Sequence, residues 1–333
     1  MKLQVPFIQL PVTFDAAALA AEIEALGESV WRPHPQGFPG NSAVPLVSAH
    51  GDPDSDAVRG PMLPTPQLQQ CPYLMQVFDT LGATWGRSRL MRLSGQAEVS
   101  AHVDIDYYWR EHMRVHVPIV TQPEVRFHCG EKAIHMAAGD CWIFDTWRPH
   151  RVVNSANRSR IHLVADTVGG PGLWNLIAQS RIPESSPPGW QAQHVAPIAA
   201  TPMNILYESQ NLPTVMTPWE VREHLTFILD EARPHENLGN VSQLIGHFCR
   251  HWRSLWAAWG EAPEGGPAYR DALVLFREEL ARIATGMTLT NDVRLEQAIY
   301  KLVISVALAD SAGPAMADER SAPVDPASMR NVA

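Results

Sequence analysis

His102 and Asp104 stand two residues apart in the run Ser-Ala-His-Val-Asp-Ile-Asp-Tyr-Tyr-Trp, residues 100–109. The interleaved Val103 and Ile105 favour extended backbone. In a strand, residues i, i+2 and i+4 face one side, so the His102 imidazole and the Asp104 carboxylate aim at a common point. Burying such a pair is costly unless something compensates it. A metal ion is one compensation; a hydrogen-bonded pair at the surface is the other. A metal requires a third ligand from elsewhere, and His150 is the best candidate. It follows Gly-Asp-Cys-Trp-Ile-Phe-Asp-Thr-Trp-Arg-Pro, where a turn at Gly139-Asp140 leads into a strand over 141–145. Two imidazoles and one carboxylate form a facial set with open positions, the pattern suited to a non-haem Fe(II) centre that handles oxygen. Catalytic zinc also takes three protein ligands, so the ligand types alone leave the metal open.

Two more segments repeat the alternation. In Arg-Ile-His-Leu-Val-Ala-Asp, 160–166, the residues Arg160, His162, Val164 and Asp166 share one face, and Ile161, Leu163 and Ala165 share the other. The apolar face is expected to pack against a cover, and the polar face to look into a cavity. A guanidinium there needs an anion, because it cannot shed its charge, and a carboxylate held through two N–H groups satisfies it. Arg160 comes 10 residues after His150, which leaves room for a turn at 155–158 and a return strand. In Met-Arg-Val-His-Val-Pro-Ile-Val, 113–120, Arg114 and His116 oppose Val115 and Val117; a surface strand would show the same pattern. Three strands with ionisable residues on one face favour one shared polar cavity. His112, His128, His135 and His162 read mostly as structural, surface or core, with contact to the cavity the lesser alternative for His162 beside Arg160; Trp142, Phe144 and Trp147 read as core or cavity wall. Asp106, Tyr107 and Tyr108 read as a substrate mouth or a solvated edge.

These side chains need a scaffold. From about 87 to 168 the chain is a series of short alternating or apolar runs, broken at Gly95, Pro123, Gly130, Gly139-Asp140 and 154–157. Closely spaced strands without intervening helices predict an antiparallel sandwich or barrel. Before them, 15–30 predicts a helix with Leu19, Ile23 and Leu26 on one face and Gly27 as its stop. The Pro-, Gly- and Asp-rich 31–66 predicts a long irregular lid or substrate loop, and 72–82 a short helix. After them, 170–200 reads as a linker. From 201 the periodicity is helical. Thr217-Pro218-Trp219-Glu220 has the form of a capping box with Pro at the first helical position. Leu244, Phe248, Trp252, Leu255 and Trp259 form a stripe ending at Gly260, and 268–285 and 292–309 predict two further amphipathic helices.

The chain has 333 residues, enough for about two domains. Its net charge is −9, with no basic run, which argues against phosphate-driven nucleic-acid binding. Four cysteines, Cys71, Cys129, Cys141 and Cys249, form no CxxC pair and fit a reducing compartment. Neither a secretory leader nor an apolar run of about 18 residues stands out. The expectation is a cytoplasmic protein that binds neither membrane nor nucleic acid.

The order His-Val-Asp, Met-Arg-Val-His-Val-Pro-Ile-Val, Ile-His-Met-Ala-Ala-Gly-Asp-Cys-Trp-Ile-Phe-Asp-Thr-Trp-Arg-Pro-His and Arg-Ile-His-Leu-Val-Ala-Asp resembles the aspartyl/asparaginyl β-hydroxylase family, and within it the bacterial free-proline cis-hydroxylases. The resemblance covers residues 85–170 well and the C-terminal region loosely. It implies a mainly β core, a double-stranded β-helix (jelly roll, cupin-like) with flanking helices, plus an all-α C-terminal domain. It also implies Fe(II), 2-oxoglutarate and O2. By position, His102, Asp104 and His150 match the iron ligands. Arg160 matches the arginine for the distal carboxylate of 2-oxoglutarate. Arg114 and His116 match residues near the cosubstrate's other end or the substrate carboxylate, for which Arg110 and Arg148 are further candidates. The implied reaction is hydroxylation of an amino acid, or of an Asp-, Asn- or Pro-type residue in a peptide, with release of succinate and CO2. The expected organisation is an oxygenase domain over 1–170, a linker over 171–200, a helical domain over 201–311 and a disordered tail over 312–333. Two rivals stand beside this reading. A cupin-like metal enzyme without 2-oxoglutarate has no need of Arg160, and a non-catalytic module for a small acid has no need of Asp104.

Overall fold

Eight consecutive strands wind between two sheets. The computed structural model describes residues 1–34, 39–185, 187–198 and 203–309 and the backbone of 322–323. Four strands come first, β1 (Phe7–Phe14), β2 (Arg32–Pro33), β3 (Asn41–Ala49) and β4 (Met62–Pro64). The eight are β5 (Thr84–Leu93), β6 (Ala97–Val103), β7 (Met113–Val120), β8 (Val125–Cys129), β9 (Lys132–Ile134), β10 (Asp140–Phe144), β11 (His150–Asn154) and β12 (Arg160–Gly169). Short β13 (Gln193–Val195) and β14 (Leu206–Tyr207) follow. One sheet runs β13-β1-β10-β7-β12-β5-β3-β2; the other runs β6-β11-β8-β9, with Ala322–Pro323 at its β6 edge. The eight strands thus pass from one sheet to the other and back, which is a double-stranded β-helix.

Alternation decides what each sheet face buries. On β7 and β12 the apolar set Val115, Val117, Ile119, Leu163 and Ala165 joins a core with Leu19 and Ile23 of α1 (Ala16–Leu26) and with Leu74, Val77 and Phe78. The latter three belong to α3 (Pro72–Leu81), which follows the single turn α2 (Pro66–Gln69). Asp15 starts α1 by accepting from the Ala17 and Ala18 amides at 3.0 Å, a cap worth about 1 kcal/mol. Gly82 ends α3 with φ 59°, where any side chain would be strained. The opposite faces carry a second, smaller core with Phe7, Leu93, Phe127, Trp142, Phe144 and Val152.

The structure departs from expectation before β5. The supposed irregular region 31–66 contains β3, nine residues that are buried on both faces except at Ser42. Such a strand has no polar alternation, and Pro45 reads as a breaker. Here Pro45 sits beside a register irregularity against β5, between Pro45 and Val47, the setting in which a sheet tolerates proline. The expected linker also carries structure. It holds α5 (Pro171–Ala178) and β13, which pairs in parallel with β1.

The described residues form two compact units, one of 1–102 with 111–209, the other of 103–110 with 210–309. The second holds α6 (Pro218–Glu231), α7 (Leu238–Trp259), α8 (Gly266–Ile283) and α9 (Leu295–Ile299), α9 running on into a π-turn over Tyr300–Ile304. Its buried stripe on α7 is Val241, Ile245, Phe248 and Trp252, turned from the expected one, and Trp259 is exposed. Phe248 stacks on Phe276 of α8 with centroids 4.1 Å apart. The capping box is half realised: Thr217 accepts from the Glu220 amide at 3.2 Å. The Glu220 carboxylate accepts instead from the Tyr107 hydroxyl at 2.6 Å. Tyr107 and Tyr108 begin α4 (Tyr107–Glu111) and are buried, so they form no solvated edge. Except for 322–323, the tail expectation lies outside the described residues.

Candidate metal centre

His102 lies one residue before the end of β6, and His150 opens β11. The two strands are antiparallel neighbours with these residues in register, and their rings lie 4.2 Å apart between centroids. Asp104 follows one residue past β6 and is buried, as is His150. One ligand atom from each of His102, Asp104 and His150 lies within 4.8 Å of the other two. The expected trio therefore converges.

The ring tautomers are set locally. His102 Nδ1 lies 2.7 Å from the Ser100 carbonyl, and His150 Nδ1 lies 2.9 Å from the Arg148 carbonyl. A carbonyl oxygen only accepts, so each Nδ1 carries the proton and each Nε2 is left with a lone pair. That is how metal-ligating histidines are usually oriented. The loop before His150 is held for this purpose by the buried Asp145, which accepts from the Trp147 amide at 3.0 Å and from Arg148 Nε at 2.9 Å. Burial raises the Asp145 carboxyl above the usual carboxylate range, against the pull of Arg148. A donor set of two neutral imidazoles and one carboxylate fits a divalent first-row metal with open positions.

From His150 a file of rings leads inward. Phe144 of β10 lies 4.9 Å from His150, His116 of β7 lies 5.3 Å from Phe144, and His162 of β12 lies 5.8 Å from His116, all between centroids. Arg160 is next on the same face of β12. It is buried, and its Nη1 donates to the Met91 carbonyl at 3.3 Å. Burial lowers its guanidinium to about 10. The β11–β12 connection that sets His150 against Arg160 is tied by the buried Asn154. Its amide donates to the carbonyls of Leu93, Ser94 and Arg158 at 3.2, 2.9 and 2.9 Å, and its oxygen accepts from the Ala156 amide at 3.1 Å. Each orphaned buried partner costs about 1–3 kcal/mol. Asn154→Ala is therefore expected to lower the unfolding free energy by about 3 kcal/mol in a urea titration; an unchanged midpoint would refute this role.

The other expected residues are placed as follows. Arg114 Nε donates to Asp166 Oδ1 at 3.0 Å, across the β7–β12 ladder. Arg148 is held by Asp145, and Arg110 lies over the Phe227 ring at 4.2 Å. His112 pairs with Glu208 at 2.6 Å, and His135 Nδ1 lies 3.2 Å from the Val125 carbonyl. Sequence reasoning passed over Arg87, Arg89 and His34, all buried. Arg87 lies 3.9 Å from Asp166, and Arg89 stands opposite Val164 in the β5–β12 ladder. Burial, then Arg87, lowers the Arg89 guanidinium to about 9. Burial, then Arg89, lowers His34 to about 3, so it is neutral. The signal was present, since Arg87 and Arg89 alternate on β5 as Arg114 and His116 do on β7.

A double-stranded β-helix bearing a His-x-Asp pair and a distant histidine at one point defines a class of mononuclear metal proteins. Residues 59–169 match the family model described as Aspartyl/Asparaginyl beta-hydroxylase. The L-proline cis-4-hydroxylase of Rhizobium meliloti (strain 1021) is 26% identical over 164 residues, which are 46% of this chain and 58% of the relative. The chain thus spans 58% of the length of this curated relative. Among solved structures, a Pseudomonas putida prolyl-4-hydroxylase is similar with a TM-score of 0.33 and 15% identity, over 49% of this chain and 92% of the other. A 2OG-Fe(II) oxygenase family oxidoreductase from Burkholderia pseudomallei is similar with a TM-score of 0.35 and 16% identity, over 50% and 88%.

Proposed function

We propose that this protein is an Fe(II)- and 2-oxoglutarate-dependent hydroxylase of a free amino acid, or of an Asp-, Asn- or Pro-type residue in a peptide. The convergence of His102, Asp104 and His150, with both Nδ1 positions already committed to carbonyls, carries the reading. Fe(II) held by these three would supply activation of O2. The chain itself supplies the rest. Arg160 holds the far carboxylate of 2-oxoglutarate in a dry interior, where a charge-assisted pair is strong. His116 and Phe144 wall the space between metal and Arg160 and exclude water. Buried Arg87 and Arg89 on β5, grouped with Arg114 of β7 around Asp166, suit a substrate that carries a carboxylate. In the net reaction one atom of O2 enters a substrate C–H bond and the other enters succinate, with loss of CO2. The family segment and the proline hydroxylase relative support the same reading.

The chemistry is assigned to residues 1–170. Among the described residues no helix is long and apolar enough to cross a membrane. All four cysteines are free, which supports a cytoplasmic location. The test supplies the protein with Fe(II), ascorbate and 2-oxoglutarate labelled at C1, together with the twenty amino acids and a panel of short Asp-, Asn- and Pro-containing peptides. Labelled CO2, equimolar succinate and a product heavier by one oxygen are expected. Absence of CO2 and succinate release from metal-loaded protein under every condition would overturn the assignment.

A further inference from the structure

His162 is an anomaly that the file of rings does not explain. It is 2% exposed, on the inner face of β12, two residues after Arg160 on the same side of the strand. Among the described residues, neither of its ring nitrogens has a hydrogen-bond partner. Arg160 Nε is in the same position. Its one ring neighbour on this face, His116, meets it edge-on at an interplanar angle of 83°, a geometry of packing. Burial, then the charge of Arg160, holds His162 well below the ordinary histidine range, so it is a neutral ring with one N–H to give. Buried polar atoms in folded proteins are nearly always satisfied. Two side chains that leave polar atoms open, two residues apart on one face of β12, describe a place for an acceptor-rich group.

We infer that His162 is a positioning residue for the cosubstrate, donating one ring N–H to the same distal carboxylate that Arg160 binds. This rests on the 2-oxoglutarate reading above and adds a second anchor to it. Arg160 supplies charge, and His162 supplies direction without a second charge. Together they offer donors to both oxygens of a carboxylate, whereas a single arginine bound in part to the Met91 carbonyl offers fewer. The site would therefore take 2-oxo acids with a second carboxylate at the far end.

The experiment measures binding rather than turnover. Protein loaded with Mn(II) under anaerobic conditions is titrated with 2-oxoglutarate and, separately, with pyruvate, which keeps the chelating end and lacks the far carboxylate. His162→Phe is expected to weaken 2-oxoglutarate by about 10- to 100-fold, the loss of one hydrogen bond to a charged group, and to leave pyruvate affinity unchanged. His162→Asn, which keeps an N–H donor, is expected to recover most of the loss. In the wild type loaded with diamagnetic Zn(II), one 15N-labelled ring nitrogen of His162 is expected to shift on adding 2-oxoglutarate and not on adding pyruvate. Equal 2-oxoglutarate affinity in wild type and His162→Phe, equal losses for both ligands, or a His162 signal indifferent to 2-oxoglutarate would each overturn the inference. A metal-loaded wild type that binds no 2-oxoglutarate would instead overturn the proposed function itself.

Discussion

Asp104→Ala is expected to reduce Fe(II) affinity by more than about 100-fold and to bring substrate-dependent succinate formation to background. The size follows from comparison with a weaker perturbation. Removing a group that only orients a metal ligand typically costs 10- to 100-fold in affinity or activity, and Asp104 would be a ligand itself. Its loss also removes the one negative charge among the three donors and leaves two neutral imidazoles facing the cation. The two histidines stay in place because their anchors, the Ser100 and Arg148 carbonyls, are independent of Asp104. The variant should therefore fold, with wild-type far-ultraviolet circular dichroism, while anaerobic metal titration reads the loss. A variant that holds Fe(II) as tightly as wild type would mean the three side chains meet for some other reason.

Much of this site was legible because its side chains are unusual for their setting. A strand that alternates apolar with ionisable residues carries its orientation in its letters: His102, Arg160 and His162 announce an inner face, and Leu163 and Ala165 an outer one. The structure confirms the apolar side, which packs beneath α1 and α3. Cross-strand register is a different matter, because it depends on bulges that sequence spacing does not encode. Arg114 and Asp166 were each visible on a polar face, yet their pairing follows from a β7–β12 ladder that shifts between Ile161 and His162. β3 escaped notice because burial on both faces erases alternation. Arg87 and Arg89 escaped because an arginine pair on a strand ordinarily faces water. The burial of Tyr107 and Tyr108 was not legible because the helical turn that buries them is only five residues long and carries no periodicity of its own.

Arg160→Met is expected to move binding and stability in opposite directions. Met keeps much of the aliphatic volume of the arginine stem while removing the charge. Losing the cationic half of a buried charge pair costs about 2–5 kcal/mol of binding, so the dissociation constant for 2-oxoglutarate should rise by about 100- to 1,000-fold. The maximal rate at saturating cosubstrate should fall far less, since the group acts on binding and not on the reacting atoms. In the ligand-free protein the same guanidinium is a liability. Desolvation is the only cause that lowers it to about 10, and its contact within the protein is a neutral carbonyl at 3.3 Å. A depressed pKa on a buried cation means the charged form is disfavoured by folding, here by up to about 3 kcal/mol at one pKa unit per 1.36 kcal/mol. The variant without ligand should thus unfold at a higher urea concentration than wild type, and wild type should close the gap when metal and 2-oxoglutarate are added. A variant that loses stability as well as binding would show Arg160 to be part of the scaffold, whereas opposite signs are what a strained, waiting anion site requires.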